Sequence, residues 1–290
     1  MQNDNTNATI QLDKLIFSCT STVSDNFDEA VKYQPEIAFE PKLTFGKTTL
    51  SQTLDVFHRY KYSYTVNYDG NQMGQIDFCQ HGFSWKNRIK FTTANPVFYN
   101  GTQCYLSNVL NDLNLKIENY TQIDTAIDSY NFNHEQILRR ALRDKDNQVK
   151  LNGSIIRDRT KTLDEITYFT KGSLNNPFKV RTILIKDKKE TKEICAYDKQ
   201  EEINVSEKGY ILDFHKKVNP KFKNLYRVEV KMSYKAISYY ENEVIKKLIT
   251  LDDLLNKEFL YSMFISHQDR IILIRDKKKK EIPLHPNPIL

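Results

Sequence analysis

Two runs of alternating side chains, with a turn between them, constrain this chain most. They are residues 62–68 and 73–78, separated by Asp69-Gly70-Asn71-Gln72. Asp-Gly between alternating runs is a strong signal for a β-hairpin. Further strands are expected at residues 14–19, 88–91, 122–128, 167–171, 180–185, 192–199, 226–232 and 270–275. Few of them are separated by helix-length spacers. The expected class is therefore α+β, an antiparallel sheet core with flanking helices, and not a doubly wound parallel sheet.

Helical spacing of apolar residues occurs in four places. Leu50, Leu54 and Phe57 predict a helix over residues 49–60, and Leu106, Val109, Leu110 and Leu113 a short one over 105–115. Asn133 is placed to cap a helix over 134–143, and Thr250 a helix over 251–264 that follows another over 234–248. No repeat or long linker breaks the chain. The expected division is a loose tail over 1–13, one α+β core over 14–235, a helical region over 236–276 packed on it, and a basic, Pro-rich tail over 277–290.

Composition excludes several classes. The chain has 290 residues, 39% hydrophobic and 28% charged, which is a globular balance. Its four cysteines include no Cys-x-x-Cys pair, so neither a disulfide framework nor a zinc ribbon is expected. No apolar run approaches the ~18 residues of a membrane span. The first residues offer no basic or apolar leader, so a cytoplasmic protein without membrane contact is expected. A net charge of +6 leans mildly toward a polyanionic partner. There is no phosphate-binding Gly-rich loop, no Gly-x-Ser-x-Gly elbow, no His-Glu-x-x-His, and no His-hydrophobe-His triplet of the kind that binds metal in common nickases. The six scattered histidines read mostly as surface residues.

The distinctive segments stand in order. Gln122-Ile-Asp124-Thr-Ala-Ile-Asp128 comes first, then Lys171-Gly172-Ser173. Tyr197-Asp198-Lys199-Gln-Glu-Glu202 follows, and Arg227-Val-Glu229 closes the series. Over residues 120–235 this resembles the replication initiation factor family of rolling-circle plasmids and some phages. That family carries Arg-x-Asp-x-x-x-Asp, a Gly-Ser turn, Tyr-Asp-Lys-x-x-Glu and Arg-x-Glu on neighbouring strands. Gln122 stands where the family often has Arg, and the spacing from Gly172-Ser173 to Tyr197 is longer than usual.

The resemblance implies an initiator that nicks and rejoins one strand of origin DNA, with Tyr197 as nucleophile. A tyrosyl nucleophile forms a covalent phosphodiester and frees a 3′-OH. Its pKa near ~10 calls for a base or a nearby cation. Lys199 and Arg227 are the candidate phosphate contacts. Asp124, Asp128, Glu229 and Glu202 are candidate ligands for Mg²⁺ or Mn²⁺. On a strand Asp124 and Asp128 share a face but sit about 13 Å apart, so without a bulge one binds the ion and the other holds a Lys or Arg.

Residues 139–161 hold eight Lys/Arg against three Asp. Arg139, Arg140, Arg143, Lys150, Arg157 and Arg159 are the candidate DNA contacts. Host helicase and polymerase are further implied partners. Blander readings compete: Tyr197 as a cross-strand aromatic, the carboxylates as solvated strand residues, the basic stretch as a charged surface. Tyr239-Tyr240 is a second candidate nucleophile. A DNA-binding protein of the same fold without cutting activity, or a viral structural protein, is the alternative function.

Overall fold

A computed structural model describes residues 8–21, 42–53, 60–79, 89–157, 166–173, 176–187, 189 and 191–288. The chain divides into two units, Asp13–Ile123 and Met1–Leu12 with Asp124–Leu290. The sequence pattern had suggested a single core. Both boundaries fall inside long strands. The first strand, β1 (Ala8–Ser21), begins within the stretch expected to be a loose tail, because Ala8, Ile10 and Leu12 alternate and are all buried.

In the unit Asp13–Ile123, β1 is followed by β2 (Lys42–Phe45), β3 (Thr48–Gln52), β4 (Tyr60–Tyr68), β5 (Asn71–Cys79) and β6 (Ile89–Thr93). They stand in the order β1-β6-β5-β4-β3-β2, each pair antiparallel. The foreseen hairpin is β4–β5. Its loop is only Asp69-Gly70, with φ of 49° and 79°, the positive pair that a tight hairpin turn demands. The helix expected over 49–60 is contradicted where it is described. Thr48–Gln52 pairs as a strand with β2 on one side and β4 on the other, with Leu50 buried opposite Val66. Residues 54–59 lie outside the described residues. Helices α1 (Pro96–Tyr99) and α2 (Leu106–Asp112) follow, the second where Leu106, Val109 and Leu110 placed it. Its last residue fastens the β2–β3 turn, since Asp112 Oδ2 accepts from the Lys47 and Thr48 amides and the Thr48 hydroxyl.

The other unit is reached along β7 (Leu115–Tyr130), which enters it at Asp124. Helix α3 (His134–Arg143) starts at Asn133, whose side chain accepts from the Gln136 amide as expected of a cap. Strands β8 (Gln148–Leu151) and β9 (Ser154–Ile155) form a hairpin. Then come β10 (Ile166–Ser173), β11 (Asn176–Lys186) and β12 (Lys192–Asp198). The strand expected to reach Lys199 stops one residue short. Asp198 accepts from the Glu201 amide at 3.0 Å and caps α4 (Lys199–Ser206). Helix α5 (Gly209–Val218) and β13 (Leu225–Ser233) complete the part that bears the motifs.

The C-terminal helices are divided differently from expectation: the first two are shorter, and the last runs past 264 to Ile271, so that the final strand starts at 272 and not at 270. They are α6 (Tyr234–Tyr239) with a π-helical turn over Tyr240–Ile245, then α7 (Leu251–Leu255) and α8 (Lys257–Ile271). Thr250 and Asp253 form a capping box on α7, and Asn256 breaks the line by capping α8. Strand β14 (Ile272–Arg275) pairs with β8, giving the small sheet β14-β8-β9. The Pro-rich end is partly docked: Leu284 and His285 are buried, and His134 Nδ1 donates to the Leu284 carbonyl at 2.8 Å.

In the main sheet of this unit the order is β10-β11-β12-β13-β7-β1. The strands bearing Asp124 and Asp128 (β7), Arg227 and Glu229 (β13) and Tyr197 (β12) therefore stand side by side, while Lys171-Gly172-Ser173 lies on β10 beyond β11. Ile194, Ala196, Val228 and Val230 share one face and are buried, and α3 and α8 pack against β12 and β13.

Candidate active site

The β12–β13 register sets Cys195 opposite Glu229 and Tyr197 opposite Arg227. Alternation then puts all four on the face turned away from the apolar layer. Tyr197 and Glu229 are diagonal neighbours, and the Tyr197 hydroxyl donates to Glu229 Oε2 at 3.1 Å. Glu229 is only 4% exposed, so its charge acts where water screens little. A cleft of about 460 Å³ opens beside this pair, walled by β11 to β13 and by α4. Burial pushes the Cys195 thiol up to about 12, helped by the charge of Glu229, so it stays protonated and does not compete as a nucleophile.

Arg227 departs from its expected role. It is 0% exposed and forks onto Asp128, Nε to Oδ1 and Nη2 to Oδ2, both at 2.6 Å. A guanidinium spent on a bidentate carboxylate in the interior does not reach a phosphate in the cleft. Asp128 is also met by Gln11 Nε2 at 3.0 Å and His215 Nε2 at 3.1 Å, and the Tyr130 hydroxyl lies 3.1 Å from His215 Nδ1. Burial alone would raise the Asp128 carboxyl. The charge and hydrogen bonds of Arg227, with the hydrogen bond to His215, override that and hold it far below the usual carboxylate range. Of the Asp124/Asp128 pair, Asp128 is therefore seen to hold an arginine, with both its oxygens engaged.

Lys199 and Glu202 answer each other in the same way. Lys199 is 2% exposed, and its Nζ bonds Glu202 Oε2 at 2.6 Å while lying 5.7 Å from the centre of the Tyr197 ring. Lys208 takes the other Glu202 oxygen at 3.2 Å. Burial would raise Glu202, but the two lysines hold it below its ordinary range. Asp124 is buried in β7, the strand beside β13.

The four expected ligands thus do not form one cage. Among the described residues no three His, Cys, Asp or Glu side chains are grouped to hold an ion. Glu229 is the expected ligand that stands at the tyrosine. That suits Mg²⁺, which binds through one or two carboxylates and takes the rest of its shell from water and substrate phosphate.

Of the expected DNA contacts, Arg140, Arg143, Lys150 and Arg157 are exposed. Arg139 is partly covered, its Nε 3.1 Å from Glu135. Arg159 lies outside the described residues. The rival nucleophiles sit elsewhere: Tyr239 stacks on the Arg270 guanidinium at 4.1 Å, and Tyr240 is buried against Phe259 and His267. Neither lines the cleft of Tyr197. Sequence reading missed Gln11, His215 and Lys231. His215 is fully buried, and His134, His267 and His285 are buried too, where surface histidines were expected. The signal for His215 was its place beside Ile211 on one side of α5. That for Lys231 was its spacing of two from Glu229 on a strand, which puts both on one face.

No family model matches the chain, and no curated protein matches it. Among solved structures the chain is similar to a rolling circle replication initiator protein from Geobacillus stearothermophilus. The TM-score is 0.51 at 11% sequence identity, over 96% of this chain and 93% of that one. At that identity the likeness speaks to the fold.

Proposed function

We propose that this protein initiates rolling-circle replication by nicking one strand of origin DNA through Tyr197 and later rejoining it. The observation that carries the reading is the Tyr197 hydroxyl donating to buried Glu229 at the wall of an open cleft. The fold likeness to a replication initiator supports it.

In the proposed step the Tyr197 oxygen attacks the scissile phosphorus. The Tyr197 Oη–P bond forms and the P–O3′ bond breaks. Glu229 accepts the phenolic proton as the new bond grows, which general-base catalysis requires of a group already within hydrogen-bond reach. The departing 3′ oxygen takes a proton from solvent. The products are a free 3′-OH, from which a host polymerase extends after a host helicase opens the duplex, and a 5′-phosphotyrosyl link. Because the link keeps the energy of the phosphodiester, the reverse reaction reseals the strand.

Mg²⁺ or Mn²⁺ belongs to the proposal as cofactor, with Glu229 as the carboxylate that would touch it. Bound there it would neutralise and polarise the scissile phosphate. Lys199 and Glu202 act from behind, since the buried ammonium near the ring face favours charge on the phenol as its proton leaves. Arg227 and Asp128 position β13, and with it Glu229, against β7. The proposed place of action is the bacterial cytoplasm.

Supercoiled DNA of the replicon that carries the gene, incubated with the protein and Mn²⁺, tests the reading. Wild type should yield open circles. Tyr197→Phe should yield none while binding the same DNA almost as tightly, because only the phenolic oxygen is removed. Open circles from Tyr197→Phe would discard Tyr197 as nucleophile. Binding without cutting by wild type would favour the non-catalytic DNA-binding protein.

A further inference from the structure

The cleft beside Tyr197 poses an electrostatic problem. Asp198, Glu201, Glu202 and Glu229 all line it, and the phosphodiester it is proposed to receive is an anion. Like charges at a few ångströms cost more the less water lies between them. The two cations foreseen for the phosphate are not at the surface: Arg227 is 0% exposed and spent on Asp128, and Lys199 is 2% exposed and spent on Glu202. Among the described residues lining the cleft, Lys231 is the one cation.

Lys231 is well placed for the task. It stands two residues beyond Glu229 on β13, so their side chains leave the same face ~7 Å apart. Its side chain is 36% exposed and its Nζ rests 3.0 Å from Glu193 Oε1, directly across the β12–β13 pair. An ammonium has three donors, and one carboxylate oxygen does not exhaust them.

We propose that Lys231 contacts the scissile phosphate, as the catalytic cation that sequence motifs assigned to Arg227 and Lys199. The proposal rests on the nicking reading. Glu193 is the resting partner that the phosphate replaces. A half-exposed ion pair of this kind contributes little to stability on its own, so its loss alone leaves the fold and the chemistry nearly unchanged.

Single-turnover cleavage of an origin oligonucleotide at saturating protein tests this, with folding of each variant checked by circular dichroism. Lys231→Met should slow cleavage ~10²–10³-fold, the usual loss on removing a transition-state charge contact. Lys231→Arg, which keeps the charge, should recover most of the rate. Glu193→Gln, which breaks the ion pair and keeps Lys231, should stay within about 5-fold of wild type. A methylphosphonate at the scissile position carries no charge to neutralise, and where wild type cuts it the penalty of Lys231→Met should shrink. The proposal is overturned by Lys231→Met cutting the native strand like wild type, or by Glu193→Gln losing as much as Lys231→Met, which would make the ion pair the working unit. Failure of wild type to cut the native strand brings down the nicking reading itself, and this proposal with it.

Discussion

Asp128 and Glu229 are buried carboxylates of one sheet face, and their partners give them opposite tasks. Glu229 takes a hydrogen bond from a hydroxyl that borders a cleft, whereas both oxygens of Asp128 are held by Arg227 in the interior. Asp128→Asn should therefore damage the fold before it damages chemistry. It removes the carboxylate charge that two Arg227 nitrogens meet in the interior, and breaking such a buried pair costs ~3–5 kcal/mol, which a urea titration would read as a lower midpoint. The pH dependence follows from the depressed carboxyl. Its stabilisation is complete above the unfolded-state value of ~3.9 and is lost as pH falls toward the far lower folded value. Wild type should weaken steeply below about pH 4, and the variant should lose that part of the slope; equal acid slopes would contradict the role given to Asp128. That the strands of Tyr197 and Glu229 are neighbours was legible in the sequence; the β12–β13 register is what brings the hydroxyl to the carboxylate. Arg227 was expected at a phosphate, and which of Asp124 and Asp128 would hold a Lys or Arg was open. That choice is made by the pairing of β13 with β7, strands roughly a hundred residues apart in the chain.

At the level of elements, local signals served best where they named a turn or a cap. Asp69-Gly70, Asn133 and Thr250 all do what their chemistry indicates. Periodicity failed over residues 49–52, where Leu50 fits a helical stripe and a strand equally well and two flanking strands decide the outcome. Lys199 was misplaced for a related reason. A strand pattern ran into Asp198, which is also a good cap, and the cap ended the strand. Gly74 illustrates a close approach that no pattern announces. A Cβ there would collide with the Thr92 carbonyl of β6 and come within 2.8 Å of the Phe91 ring. Gly74→Ala should cost ~1–3 kcal/mol, as overpacking does, and lower the melting temperature. An unchanged melting temperature would mean that β5 and β6 part easily at this point.

For the molecule as a whole, the antiparallel α+β class was readable from the strand count, while the division into two units was not. Both boundaries lie inside β1 and β7, where alternation continues without a linker to mark a change. The net charge of +6 is modest, so the proposed DNA affinity would have to come from where the cations lie. Arg140, Arg143, Lys150 and Arg157 are exposed, and Arg139 is engaged by Glu135. Arg140→Glu with Arg143→Glu should weaken DNA binding across sequences and flatten its dependence on salt by about one unit per lost phosphate contact. An unchanged slope would show that α3 faces away from DNA. In the proposed reaction a tyrosine in a sheet cleft, activated by a buried glutamate, joins covalently to DNA. The most direct measurement is to trap the protein on a cut origin strand, digest both polymers, and find by mass spectrometry which peptide carries the nucleotide. A 5′-phosphonucleotide is expected on the peptide containing Tyr197, absent from Glu229→Gln digests or greatly reduced in them. A nucleotide on Tyr239 or Tyr240, or cut DNA with no protein attached, would contradict it.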